Sequence, residues 1–246
     1  MSLDGNGIYT SNPWSGRLPL ALGHRGAPHE APENRRQALT TAFALLDGVE
    51  TDLHRSQDGA LVVNHDPFVG PVITTESLIA LNDLADLRQA EPSLLTLADL
   101  RSLLEEYPQG LANLELKTGE PFNDSRAADL AAELAGWPAA VVERVWISSF
   151  DPLELLRLAE RGVPAPLAFL AYEASALALL PSLPVAAVHP HHTLVTPERV
   201  SEWHAAGLAV FVWTVNEEPL ARQLLEDGVD GLIGDFPEVL LGARGG

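Results

Sequence analysis

Cysteine is absent from the 246 residues, which removes disulfides, thiolate nucleophiles and thiolate metal ligands from consideration. Basic residues are scarce as well. Fifteen Lys and Arg face 34 Asp and Glu, a formal charge of −19. A chain so acidic lacks the positive face that nucleic acid or an anionic membrane would require. Every apolar run is interrupted by charge, Pro or Gly well before the ~20 residues of a membrane span. Residues 1–17 are polar, broken by Gly and Pro, and hold no apolar stretch of the kind a signal peptide needs. The expectation is a soluble, cytoplasmic protein. Lysine is almost missing too: Lys117 is the only one among the fifteen basic residues.

From Leu18 onward the chain alternates short β-branched or Leu-rich runs with amphipathic ones. Strands are expected at Leu18–Leu22, Gly48–Leu53, Leu111–Leu116, Val145–Ser149, Pro166–Leu170, Val185–His189, Leu208–Val215 and Gly231–Ile233. Helical patterns lie between them, including Ser125–Gly136, Pro152–Arg161, Pro197–Ala206 and Glu218–Asp227. Asp151-Pro152 and Thr196-Pro197 are helix starts, a capping side chain followed by proline at the first helical position. Eight strands alternating with helices point to an α/β fold of the (β/α)8 type, in one domain over 18–246. Residues 67–92, long and rich in Asp, Glu and Thr, break the repeat. They read as a small insertion, placed to act as a cap over the barrel mouth.

The stretch His24 to Asp66 concentrates unusual chemistry. In Val49-Glu-Thr-Asp-Leu53 the alternation of a strand puts Glu50 and Asp52 on one face. A pair of this kind could equally sit on a solvated edge strand. A second element, Leu111–Lys117, repeats the pattern with Glu115 and Lys117 on one face and Leu114 and Leu116 on the other. Glu50, Asp52 and Glu115 together offer three hard oxygen ligands suited to one divalent cation, Mg2+ or Ca2+. Lys117, a compact cation beside such a ligand, suits a phosphate oxygen. His24 follows a strand, and His65 closes a hairpin whose turn is signalled by Asp58-Gly59. Two histidines beside metal ligands suit a general acid and base pair. The C-terminal strand ends, where such barrels carry their active sites, hold His24, Glu50 with Asp52, Glu115 with Lys117, Ser148 with Ser149, His189, and Trp213 with Asn216.

His24-Arg-Gly26, Pro32-Glu-Asn34, Glu50-Thr-Asp52, Asp58-Gly59, His65-Asp66, Leu114-Glu-Leu-Lys117 and Val212-Trp-Thr-Val-Asn216, in this order, resemble the glycerophosphodiester phosphodiesterase family over about Leu18 to Leu240. The resemblance implies a TIM barrel that hydrolyses a small-molecule glycerophosphodiester with a divalent metal. It implies metal binding at Glu50, Asp52 and Glu115, acid and base roles for His24 and His65, phosphate contacts from Arg25 and Lys117, and a place at the site for Glu33. Arg35 stands where the family commonly has threonine, and Gly234-Asp235-Phe236-Pro237 replaces a threonine-aspartate pattern. Both departures are expected to bear on substrate fit more than on chemistry.

Trp213 suits either a barrel core or the glycerol side of the pocket. His189, His191 and His192 read as a solvated loop rather than a zinc site, with His189 near the substrate. Other readings of the scaffold are a lysophospholipase D-like activity on a lipid phosphodiester, a sugar isomerase, an aldolase using Lys117 as a Schiff base, and a non-catalytic binding barrel.

Overall fold

The computed structural model describes residues 12–118 and 125–245, so most of the expected polar tail lies outside the described residues. Eight parallel strands close on themselves: β1 (Leu20–His24), β2 (Gly48–Arg55), β5 (Leu111–Leu116), β6 (Val145–Ser149), β7 (Leu167–Ala171), β8 (Ala187–Pro190), β9 (Ala209–Val212) and β10 (Gly231–Gly234), with β10 returning to β1. This is the (β/α)8 barrel expected from the strand and helix alternation. β1 lies two residues later than expected, so that His24 is its last residue rather than a loop residue. A short antiparallel ribbon, β3 (Leu61–Val63) and β4 (Leu95–Thr96), hangs from the end of β2.

Period-two alternation sorts the barrel into an outer and an inner face. Val49, Leu114, Leu116, Ile147, Phe169, Val188, Val212 and Leu232 point outward into one large core beneath the helices. The opposite residues fill the interior. At its lower end Leu20, Leu22, Leu111, Trp146, Ala187 and Phe211 form a separate apolar cluster. Trp14, which the sequence grouped with a polar tail, is buried here. It meets Trp146 and Phe211 edge-on, with ring centroids 5.5 and 5.2 Å away. Space for Phe211 comes from Gly231, where a Cβ would lie 2.6 Å from the ring. Higher up, the same inward-facing series turns polar. Asn113 donates to Ser148 Oγ at 2.6 Å, and above that pair come the charged groups.

The helices form where their caps permit. α6 (Pro152–Glu160) starts at Asp151, whose carboxylate accepts from Leu153 N at 2.9 Å. α7 (Pro197–Ala205) starts at Thr196, whose hydroxyl accepts from Arg199 N. α3 (Leu97–Glu106) opens with a reciprocal Thr96–Asp99 capping box. α1 (Arg36–Leu45), α4 (Arg126–Ala135), α5 (Ala139–Val142), α8 (Glu218–Glu226) and α9 (Pro237–Arg244) complete the outer layer.

Residues 67–92 carry two 3-10 turns and α2 (Leu84–Ala90). Val69, Ile79 and Leu87 pack with Val62 and Leu94 into a small core against the ribbon. As packed, the segment buttresses that ribbon, and none of its residues lines the cavity described below. The hairpin at Asp58-Gly59 differs from the expected two-residue turn. Ser56 and Ala60 still pair, Gly59 N bonds back to Ser56 O at 3.1 Å, and Gly59 adopts a φ of +95°. This is a three-residue loop with glycine in the left-handed position.

Candidate active site

The upper layer of the barrel interior is built by strand register. His24 lies opposite Glu50, Asp52 opposite Glu115, and Glu115 opposite Ser148. Each is an inward-facing residue at a C-terminal strand end, so neighbouring strands deliver their side chains to one level. A cavity of about 80 Å³ opens there. His24, Arg25, Glu50, His65, Glu115, Lys117 and Trp213 all line it. Neither Asp52 nor Glu33 lines it; Asp52 pairs with Lys117, and Glu33 accepts from Arg25.

Glu50, Asp52 and Glu115 are buried, and each has an oxygen within 4.8 Å of the others'. Three carboxylates so close together do not all ionise unaided. Burial, and then the charge of Asp52, push Glu50 up to about 8. Burial followed by Asp52 also raises Glu115. For Asp52, burial acts upward, but Lys117 and Arg25 outweigh it and hold the group below its ordinary range. Lys117 Nζ stands 2.8 Å from Asp52 Oδ1 and 2.9 Å from Glu115 Oε1. Its ammonium thus joins two of the three acids, which the sequence did not foretell. Lys117 and Arg25 set two cations against three carboxylates, and Glu50 Oε1 is buried with no hydrogen-bond partner among the described residues. A hard divalent cation fits this donor set, since it would satisfy that oxygen and remove the repulsion that protonates Glu50.

Arg25 sits in the left-handed region at φ +54°, next to Gly26 at +92°. The conformation is uncommon for a side-chain-bearing residue and occurs where the backbone is held to a purpose. Here it turns Arg25 N toward Glu50 Oε2, 3.1 Å away. The guanidinium reaches Glu33 at 3.0 and 3.1 Å and passes 3.6 Å from Asp52.

His24 has a partner that the sequence did not reveal. Asp235 Oδ1 accepts from Nδ1 at 2.7 Å, and Asn216 Nδ2 donates to Asp235 Oδ2 at 2.5 Å while its Oδ1 accepts from Asp235 N. Burial depresses the imidazole pKa, but the Asp235 bond and the Glu50 charge reverse that and leave it raised. The Gly234-Asp235 departure therefore touches the candidate catalytic histidine directly, contrary to the expectation that it bears mainly on substrate fit. Continuing the inward positions of β10, 231 and 233, one step past the strand's end reaches Asp235.

His65 is held by the other departure. Arg35 donates to Val63 O and to Asn64 Oδ1, at 3.3 and 3.0 Å, and Asn64 Nδ2 donates to Asp66 O and Phe68 O, both at 2.9 Å. His54 Nε2 donates to His65 O at 3.0 Å. His65 Nδ1 faces Asp66 at 3.0 Å, and burial lowers its pKa.

The opposite wall of the cavity is apolar: Phe150, Leu170, Trp213 and Ile233. Trp213 Nε1 donates to His189 O at 2.8 Å. His189 is not in a solvated loop. It is fully buried within β8, its Nε2 accepts from Trp146 Nε1 at 3.3 Å, and burial pushes it down to about 3. Pro190 ends the strand, which is why the His-Pro pair resembled a loop. His191 and His192 are the partly exposed members.

The model of the glycerophosphoryl diester phosphodiesterase family matches residues 24–239. A glycerophosphodiester phosphodiesterase of Caldanaerobacter subterraneus is 27% identical over 237 residues, spanning 90% of this chain and 96% of that protein. One from Bacillus altitudinis is 27% identical over 231 residues, 87% of this chain and 94% of the relative. Among solved structures, an Oleispira antarctica phosphodiesterase in complex with the product sn-glycerol-3-phosphate superposes with a TM-score of 0.82 at 25% identity, covering 95% of this chain and 99% of that one. A glycerophosphodiester phosphodiesterase of Thermotoga maritima shares the fold with a TM-score of 0.71 at 23% identity, over 92% and 97% of the two chains.

Proposed function

The chain belongs to the glycerophosphoryl diester phosphodiesterase family, and on that premise we propose that it hydrolyses glycerophosphodiesters to glycerol 3-phosphate and an alcohol. The observation that carries this is the meeting of His24, His65, Arg25, Lys117 and the carboxylate trio around one small cavity. The product bound to the Oleispira antarctica phosphodiesterase agrees with it.

Glu50, Asp52 and Glu115 would hold one divalent cation, Mg2+ or Ca2+, whose contribution is Lewis-acid stabilisation of charge on the phosphoryl oxygens. Arg25 and Lys117 bring positive charge to the same oxygens. His24 has Nδ1 engaged by Asp235, and His65 has Nδ1 beside Asp66, which leaves Nε2 of each ring for proton transfer. One Nε2 takes the proton of the attacking hydroxyl as its oxygen bonds to phosphorus. The other gives a proton to the departing alkoxide as the phosphorus–alcohol bond breaks. The attacking oxygen is that of water, or of the neighbouring glycerol hydroxyl through a cyclic phosphate that water then opens.

The test is release of glycerol 3-phosphate from glycerophosphocholine and glycerophosphoethanolamine by chelator-treated enzyme, before and after adding Mg2+ or Ca2+. Release restored by either ion is the expected result and identifies it. No release with either ion, from protein that titrates with metal, refutes the substrate assignment.

A further inference from the structure

Two aromatic rings of the cavity wall, Phe150 and Trp213, and two that contact Trp213 from outside it, Tyr172 and His191, are not used by the chemistry above. Phe150, beyond β6, meets Trp213 edge-on at 5.4 Å. Outside that contact, Tyr172, His191 and Trp213 follow three consecutive strands, β7, β8 and β9, and their rings lie 4.8, 5.2 and 6.2 Å apart. His191 bridges to Trp213 in parallel register, and the Trp213 indole is anchored on His189 O. Tyr172 is 59% exposed, so its ring is open to a ligand arriving from solvent.

Position and size give this arc a role. The cavity, about 80 Å³, is far below the roughly 300–1,000 Å³ that encloses a drug-sized ligand. A phosphodiester cannot be engulfed whole, so one ester arm must remain at the rim. Arg25, Lys117 and His65 claim the phosphate side, and Trp213 links the cavity wall to the exposed arc. We propose that Tyr172, His191 and Trp213 form the subsite for the alcohol headgroup and select a quaternary ammonium alcohol, choline, over neutral or anionic alcohols. The inference rests on the phosphodiesterase reading and adds the headgroup to it.

A trimethylammonium group cannot donate hydrogen bonds from its nitrogen, so aromatic faces are the partners that compensate its desolvation. His191 adds no competing charge, because burial and then the neighbouring His192 lower its pKa. The charge of −19 favours a cationic arm and opposes an anionic one.

The experiment compares kcat/KM for glycerophosphocholine, glycerophosphoethanolamine and glycerophosphoglycerol in the wild type, Tyr172→Leu and Tyr172→Phe. The exposed position makes both variants compatible with folding. The choline ester should lead in the wild type. Tyr172→Leu should cut its advantage over the glycerol ester by about 3- to 20-fold, mainly through KM, and Tyr172→Phe should restore it. Equal kcat/KM for the three esters in the wild type, or an equal loss across them in Tyr172→Leu, overturns the headgroup assignment while leaving the phosphodiesterase reading intact. Hydrolysis of none of the three overturns both.

Discussion

His189 makes the stability of this barrel depend on pH in a calculable way. The unfolded ring takes up a proton near its ordinary 6.5, whereas the buried ring titrates at about 3. A lowered folded pKa means that the unfolded state binds more protons between these values, so stability falls as pH falls from 6.5 towards 3. At pH 5 the unfolded ring is about 97% protonated and the folded ring almost entirely neutral. Relative to pH 7 the loss is then about 2 kcal/mol, from roughly 1.5 pH units at 1.36 kcal/mol each. Many carboxylates also titrate, so the diagnostic quantity is a difference between proteins. His189→Gln keeps an acceptor within reach of Trp146 Nε1. Urea unfolding at pH 7 and pH 5 should show the wild type losing about 2 kcal/mol more than His189→Gln over this interval. The same pH dependence in both proteins would refute the picture of a neutral, buried imidazole.

Asp235→Asn exchanges a charged bond to His24, typically about 1.5–3 kcal/mol, for a neutral one of about 0.5–1.5. If the bond orients the ring for catalysis, kcat should drop about 5- to 15-fold with the far-UV spectrum unchanged; full activity would remove Asp235 from the mechanism. Glu115→Gln should weaken Mg2+ or Ca2+ binding, followed by titration calorimetry, by more than the roughly 10- to 100-fold seen for outer-shell partners. Unaltered affinity would place the cation elsewhere. Arg35→Ala severs the brace on Val63 and Asn64, so stability should fall by about 1.5–3 kcal/mol and kcat should fall with it. Lost stability at wild-type kcat would show that His65 does not depend on this brace.

Much of the architecture was legible because one physical rule, alternation along a strand, governs both the core and the site. Glu50, Asp52 and Glu115 are inward positions on β2 and β5, Lys117 follows β5 directly, and the outward Leu114 and Leu116 betray the strand that leads to it. What escaped detection depends on approach between distant segments. Asp235 is joined to His24 across 211 residues. Arg35 reaches the ribbon across 28 and 29 residues, because the turn before α1 runs beside β3. Trp14 was missed because its polar neighbours dominate local composition, while its partners Trp146 and Phe211 lie far along the chain. His189 was rightly placed at a strand end, but its grouping with His191 and His192 in a solvated loop failed because proline ordinarily signals a loop, yet at the last position of β8 it leaves the ladder undisturbed.

The hairpin ribbon and α3 separate β2 from β5 in the chain, yet the two strands lie directly paired, with Asp52 beside Glu115. The three carboxylates therefore become neighbours only after some fifty intervening residues have been looped out and returned. Any partly assembled chain in which this one pairing is missing lacks the complete ligand set, whatever else has formed. A bound ion would thus discriminate between closed and unclosed barrels and stabilise the closed form by RT ln(1 + [L]/Kd). In a cell the supply of that ion would act on how long the enzyme persists as well as on how fast it turns over.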